Sequence, residues 1–263
     1  MIALKLLGLE DVISIGVVDP IRPTDVDRTD WAFTLDKDGR DPVLGIHYLS
    51  DIYLKTDPDY KGRFTVPAVV DLQTGQVVNN DFLNLLRHWE TKWTRFHKKG
   101  APDLYPEAYR EEIDKLNEVI FNDINNGVYK AGFAASQEAY EEAYDALFKR
   151  LDELEERLNH SRYLFGDKIS DSDIRLYVTL VRFDAAYYNG FRTNRNRLID
   201  FPNLWGYARD LYQQPAFKET THFDHIKKHY HLSAIDNPHH ILPKGPDESV
   251  WIEEHDRDSR RYE

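Results

Sequence analysis

The stretch Arg63–Phe82, RFTVPAVVDLQTGQVVNNDF, decides the architecture. Val66–Asp71 is a short, β-branched apolar run entered through Pro67, and the Gln73-Thr74-Gly75 turn leads into a second run, Gln76–Val78. The period then changes. Phe82, Leu85, Leu86, Trp89 and Trp93 recur at i, i+3, i+4, i+7 and i+11, the one-sided stripe of a helix starting at the cap Asn79-Asn80-Asp81. The spacing predicts strand, hairpin, strand and capped helix in succession.

The 263 residues are 41% hydrophobic and 13% aromatic, enough for one large core or two smaller ones. No run approaches membrane-spanning length. The opening MIALKLLGLEDVISIGVV has no basic n-region and no small-residue cleavage site, so a cytoplasmic location with no membrane partner is expected. Thirty-four basic against 46 acidic residues leave a net charge of −12 spread along the chain, which argues against a nucleic-acid partner. There is no cysteine. That fits a reducing compartment and excludes disulfides, thiolate metal sites and thiol catalysis by these residues.

Outward from the deciding stretch, Ile2, Leu4 and Leu6 to Leu9 read as the tail of an apolar helix with Gly8 near its end. A buried strand, Val12–Val18, follows and closes at Asp19-Pro20. Residues 21–62 form a long polar excursion anchored by Trp31 and Phe33, with a helical patch near Gly45–Leu54. Trp31 either floors a ligand site or pins this loop. Lysines, Gly100 and two prolines between Thr94 and Pro106 mark a linker. Beyond it the pattern is helical. Ile113, Leu116, Ile120 and Ile124 make one stripe, ended by Asn125-Asn126-Gly127 as a C-cap. Tyr140, Tyr144, Leu147, Leu151, Leu154 and Leu158 make another, capped by Ser136. Ser170 with Asp173 reads as an acidic capping box before the stripe Leu176, Leu180, Phe183 and Tyr187. Pro202 and Pro215 open two more helices, the second ending near Tyr230, and the tail is polar, with a disordered end expected at Glu253–Glu263.

Strand, hairpin, strand and capped helix make the second half of a thioredoxin-like domain, in which the proline opening the first strand is commonly cis; Val66-Pro67 is the candidate bond. A cis X-Pro at a strand entry exposes the preceding N–H and C=O to a peptide ligand, and the helix N-terminus nearby can hold a carboxylate. The dipeptide serves equally as an edge-strand proline with no ligand. The division expected is α+β with two domains: an incomplete thioredoxin-like domain over 1–97 lacking its first strand, a linker at 98–106, an all-helical domain over 107–232 and an extension over 233–263.

A partial thioredoxin-like domain followed by helices with a G-x-x-x-S-x-x-D box at Gly166–Asp173 resembles a glutathione transferase. The finer resemblance is to the Xi class, the glutathionyl-hydroquinone reductases. It rests on Val66-Pro67, on NNGVYKAGFA at 125–134, LVRFD at 180–184, FPNLW at 201–205, DHIKKHY at 224–230 and the terminal NP…ILPKGP. It covers nearly the whole chain from Leu7 to about Pro246. The resemblance implies glutathione, or another low-molecular-weight thiol, as co-substrate, an aromatic substrate, a homodimer and no metal. In that family a cysteine attacks the glutathione sulfur of the conjugate, hydroquinone leaves, and a second glutathione clears the mixed disulfide. It implies that Tyr129 and Tyr230 are catalytic, lining the hydroquinone site. It further implies that Trp31, Val66, Pro67, Asn80 and Asp81 bind glutathione. A phenol suits the hydroquinone site, because it donates a hydrogen bond to an oxygen of the departing aromatic while its ring packs on the substrate.

Two departures stand out. The family's Cys-Pro-Trp-Ala segment would lie upstream of Met1, so the chain is expected to be inactive in that reaction unless extended at its N-terminus. A non-catalytic binder of thiols and aromatics is the alternative. At the helix cap the family's Glu-Ser pair is replaced by Asp81-Phe82, which removes a hydroxyl. His222, His225 and His229 at i, i+3 and i+7 raise a separate zinc reading, but in a helix rich in Lys and Tyr they read better as caps and surface groups.

Overall fold

The computed structural model describes residues 1–23, 30–260 and 262. Residues 24–29, within the long polar excursion, and 261 and 263, within the end expected to be disordered, lie outside the described residues. In chain order the elements are α1 (Ile2–Leu7), α2 (Leu49–Thr56), β1 (Val69–Asp71), β2 (Gln76–Asn79) and α3 (Phe82–Lys92). Then come α4 (Arg110–Val119), α5 (Gly127–Gly132), α6 (Gln137–Asn159), α7 (Asp171–Arg182), α8 (Tyr188–Gly190), α9 (Pro202–Gln213), α10 (Pro215–Lys218) and α11 (Phe223–His229). The class is α+β, with a small sheet in the first lobe and helices in the second.

Among the described residues the sheet is the antiparallel pair β1 and β2, in register Val70 to Val77 and Asp71 to Gln76. The turn between them closes on Asp71, whose carboxylate accepts from the Thr74 N–H at 2.8 Å, with Gly75 at φ +63°. β1 begins at Val69, three residues later than expected, and the Val66-Pro67 bond before it is cis. Asp81 caps α3 by accepting from the Asn84 N–H at 3.2 Å. α2 covers the sheet, and Leu49, Ile52, Tyr53 and Phe64 form a small core there. The large core belongs to the helices, and α1 inserts Ile2, Leu4 and Leu7 into it.

Four expectations are corrected. The helix opened by Pro215 does not run to Tyr230: α10 ends at Lys218 and α11 starts afresh at Phe223. Residues 12–18 form no strand, and Val12, Ile15 and Val17 are exposed. Strand hydrogen bonds exist only between strands, and among the described residues none pairs with this run; the Val12 and Ile13 N–H groups turn back to the Leu9 carbonyl at 3.0 and 2.9 Å, and just beyond the run the Asp19 N–H donates to the Ala32 carbonyl at 2.7 Å. Asn125-Asn126-Gly127 is not a helix end. A π-helical turn over Ile120–Asn125 carries the chain on from α4 and Gly127 starts α5, while the Asn125 amide donates to the Arg175 carbonyl and the Thr179 hydroxyl of α7. The chain end is packed: Trp251 sits 4.8 Å from Trp205, and the Arg257 guanidinium, 1% exposed, donates to the carbonyls of Leu158, Ser161 and Arg162.

The start of α7 holds the helical lobe together and ties it to the first lobe. Buried Asp173 accepts four hydrogen bonds, from the Ser170 N–H and hydroxyl at 2.7 and 2.6 Å and from the Leu164 N–H and Tyr207 hydroxyl, both at 2.9 Å. Asp171, also fully buried, accepts from Arg175 Nε at 2.8 Å, Asn117 Nδ2 at 2.9 Å and, across the lobes, Arg87 Nη2 at 2.8 Å. Arg87 on α3 also donates to Glu90 and Asp114. Glu90 keeps one buried carboxylate oxygen without a partner, and burial, followed by the charge of Asp171, pushes its carboxyl up to about 8.

Asp173→Ala strands two buried N–H groups and two buried hydroxyls and is expected to lower unfolding free energy by about 3–5 kcal/mol in urea titrations. A loss under about 1 kcal/mol would contradict this role. Glu90 holds its proton in the folded chain over a pH range where the unfolded chain has released it. Stability from this group therefore falls as pH rises from about 4.5 through about 8. Glu90→Gln removes that fall. Between about pH 5 and 8 the wild type is expected to lose on the order of 2 kcal/mol more than the variant, and equal losses would refute the assignment.

Candidate functional site

Three tyrosines from distant parts of the chain meet between α5, α7 and α11. Tyr129 lies in α5, Tyr187 ends a π-helical turn that follows α7, and Tyr230 begins another that follows α11. Each π turn inserts an extra residue into its ladder and re-aims the side chains beyond it, as is common at functional positions. Gly132 lets the Phe191 ring lie directly on α5, where a Cβ would come within 2.4 Å of Phe191 Cγ. Phe191 in turn backs Tyr129 at 5.2 Å and Tyr187 at 5.3 Å between ring centroids.

The hydroxyls form a chain: Tyr187 to Tyr230 at 2.8 Å and Tyr230 to Tyr129 at 2.5 Å. The direction of the protons follows from burial. Tyr187 is buried and Tyr230 is its hydroxyl partner, so its O–H donates to Tyr230, which is then free to donate to Tyr129. The Tyr129 proton is left to point outward. Burial, and then the charges of the neighbouring phenols, push the Tyr187 and Tyr230 hydroxyls well up, so both stay protonated. In such a chain each bond polarises the next, strengthening the terminal donor.

Beside the tyrosines stands a cationic and aromatic wall. Trp31 is seated by its N–H to Asp30 at 2.8 Å and by its carbonyl to the Leu49 N–H at 2.9 Å. Its indole stacks on His229 at 5.3 Å, and the Arg22 guanidinium lies 4.6 Å from the ring centroid. His229 Nδ1 donates to the Pro20 carbonyl at 2.9 Å, which sets the tautomer. Burial lowers the affinity of this imidazole for a second proton, and Arg22 and Arg182 add to that, against the pull of Pro20. Arg22 is itself held below its usual value by desolvation and then by the nearby Arg63. Two guanidiniums close enough to repel, one partly desolvated, favour an anionic ligand.

Trp31, His229 and Tyr230 share a cavity of about 270 Å³ between the lobes. Tyr129 reaches it through its hydrogen bond to Tyr230. Val66 and Pro67 stand apart, with Val66 exposed and neither lining the cavity. Asn80 donates to the Tyr53 hydroxyl at 3.3 Å and Asp81 is occupied with the α3 cap, its carboxyl held low first by the Asn84 side chain. Phe82 is exposed and meets Phe121 at 6.3 Å. His222 and His225 lie 5.6 Å apart, but His229 is turned to Trp31 and Pro20. Among the described residues no group of three or more His, Cys, Asp or Glu side chains is arranged to hold a metal ion. Sequence reasoning missed Tyr187, Arg22 and Arg182. Only Arg182 carried a signal, as the lone cation within the apolar run Val178–Phe183.

Comparison with known proteins gives the lineage. Residues 137–210 match the glutathione S-transferase C-terminal domain family. The chain is 41% identical to glutathionyl-hydroquinone reductase YqjG of Escherichia coli, over 99% of this chain and 78% of that protein. The glutathione-bound structure of YqjG superposes with a TM-score of 0.90 at 42% identity, covering 98% of this chain and 82% of that one. A glutathione transferase from Gordonia bronchialis superposes at 0.94 with 49% identity, covering 99% and 81%. The chain belongs to the Xi-class glutathione transferases, the glutathionyl-hydroquinone reductase family.

Proposed function

We propose that the chain binds glutathione conjugates of hydroquinones, holding the glutathione half with Trp31, Val66, Pro67, Asn80 and Asp81 and offering the aromatic half to Tyr129 and Tyr230. The observation that carries this reading is the hydroxyl chain with its proton directed outward at Tyr129, beside the Trp31, Arg22 and His229 wall. The indole and histidine rings suit a flat ligand, and Arg22 with Arg63 suits the carboxylates of a tripeptide. YqjG, of the same family, has been solved with glutathione bound.

The chemistry follows from what must move. Attack by a thiolate on the conjugate's sulfur forms an S–S bond and breaks the aryl C–S bond. The electron pair stays on the ring, and one proton completes the hydroquinone. The tyrosine chain stabilises and protonates the departing aromatic. The 263 residues contain no cysteine, so the attacking sulfur comes from a thiol outside them, a cysteine of a longer chain or a small thiol such as glutathione. Among the described residues no helix is long and apolar enough to cross a membrane. The reading includes a cytoplasmic location and a homodimer, for which equilibrium sedimentation is the direct measurement.

Calorimetry with glutathione and with a glutathionyl-hydroquinone tests the proposal. Both are expected to bind. Tyr129→Phe is expected to weaken the conjugate about tenfold and leave glutathione unchanged, the loss of one hydrogen bond. With added thiol, hydroquinone release by Tyr230→Phe is expected to slow by about 100-fold. No binding of either ligand, or equal turnover by wild type and both variants, overturns the reading.

A further inference from the structure

Behind Tyr230 the inter-lobe cavity carries a cation that the reading above does not use. Arg182, the last residue of α7, is half-buried, lines the cavity, and donates one guanidinium nitrogen to the Val178 carbonyl. That bond, within its own helix, tethers the planar head. Among the described residues no carboxylate pairs with Arg182, and none of its nitrogens is both buried and without a partner. His222 and His225 line the same space, their rings 5.6 Å apart. One carboxylate, Asp19, also lines it, but Asp19 is engaged by the Thr34 hydroxyl and by the Ile21 N–H at 2.7 Å. Thr220 and Thr221 line it too, their hydroxyls donating to the main-chain carbonyls of Ala216 and Phe217, and apolar side chains, among them Ile2, Val178 and Ile226, complete the wall.

We propose that Arg182, with His222 and His225, forms an anion-binding subsite in this cavity, so that the protein prefers aromatic substrates bearing a carboxylate. The proposal rests on the reading that the inter-lobe cleft takes the aromatic half of the substrate. A volume of about 270 Å³ suits one substituted ring. Tyr230 and Trp31 at one side receive the ring, and the planar guanidinium matches a carboxylate with two parallel N–H bonds while the imidazoles donate from the side. Arg182 acts here on the substituent, away from the bond that breaks, so it sets which substrate is taken.

The test compares two aromatics of nearly equal shape, 2,5-dihydroxybenzoate and its uncharged amide, by calorimetry at about pH 7, with glutathione titrated separately. The wild type is expected to bind the acid at least about tenfold more tightly than the amide. Arg182→Gln is expected to remove the preference, and Arg182→Lys, which keeps the charge without the fork, to retain part of it, with the glutathione titration unchanged in both and folding checked by circular dichroism. Equal affinity of the wild type for acid and amide overturns the subsite alone, whether or not the variants fold. A preference that survives in folded Arg182→Gln does the same. Failure of both aromatics to bind overturns the reading of the cleft and the subsite with it, and failure of glutathione to bind overturns the glutathione half of that reading independently.

Discussion

Two fully buried carboxylates, Asp171 and Asp173, open α7, and everything in the cleft depends on where that helix starts. Burying a carboxylate costs several kcal/mol unless donors replace the lost water. Both are so replaced. Asp173 takes four donors from the helical lobe, while Asp171 takes Arg175 from its own helix, Asn117 from α4 and Arg87 from α3. The first fixes the position of α7 within its lobe, and the second fixes the lobes against each other. Three turns later the same rigid helix delivers Arg182 to the cavity, and the π turn beyond it delivers Tyr187 to the hydroxyl chain.

The cleft gathers its properties from burial more than from any single side chain. Desolvation keeps the Tyr187 and Tyr230 phenols protonated and His229 neutral, so the wall presents hydrogen-bond donors and flat faces, with fixed positive charge only at the guanidiniums. A neutral donor chain that ends in an outward proton suits a departing aromatic. Guanidiniums with no carboxylate partner among the described residues suit the anionic ends of a conjugate. These features arise at the seam of the two lobes, the usual place for a small-molecule site.

The places where pattern reading failed share a cause. Val12–Val18 has the composition of a buried strand, yet a strand is a pairwise object, and alternation in one segment says nothing of whether a neighbour stands beside it. Asn125-Asn126-Gly127 has the composition of a helix end. There the Asn125 amide finds better partners on α7 and the helix runs on through a π turn. The C-terminal segment reads as polar and unstructured, while Arg257 is held by three main-chain carbonyls that no local signal announces.

From the linear chain alone came the hairpin and capped helix around Arg63–Phe82, the Ser136 cap and Ser170–Asp173 box, and the helical stripes of the second lobe. All of these are local: a cap needs neighbours two or three residues away, and a stripe needs only a constant period. The blocks holding Tyr129 and Tyr230 were also legible, through their likeness to one family. Tertiary structure decided that those hydroxyls touch, although 101 residues separate them, and that Tyr187 directs their protons. It also decided that Trp31 and His229 stack, and that Arg182 lines a shared cavity. Such contacts depend on helix crossings and on which lobe surfaces meet. Those are set by the summed packing of the core, and no short stretch of sequence encodes them.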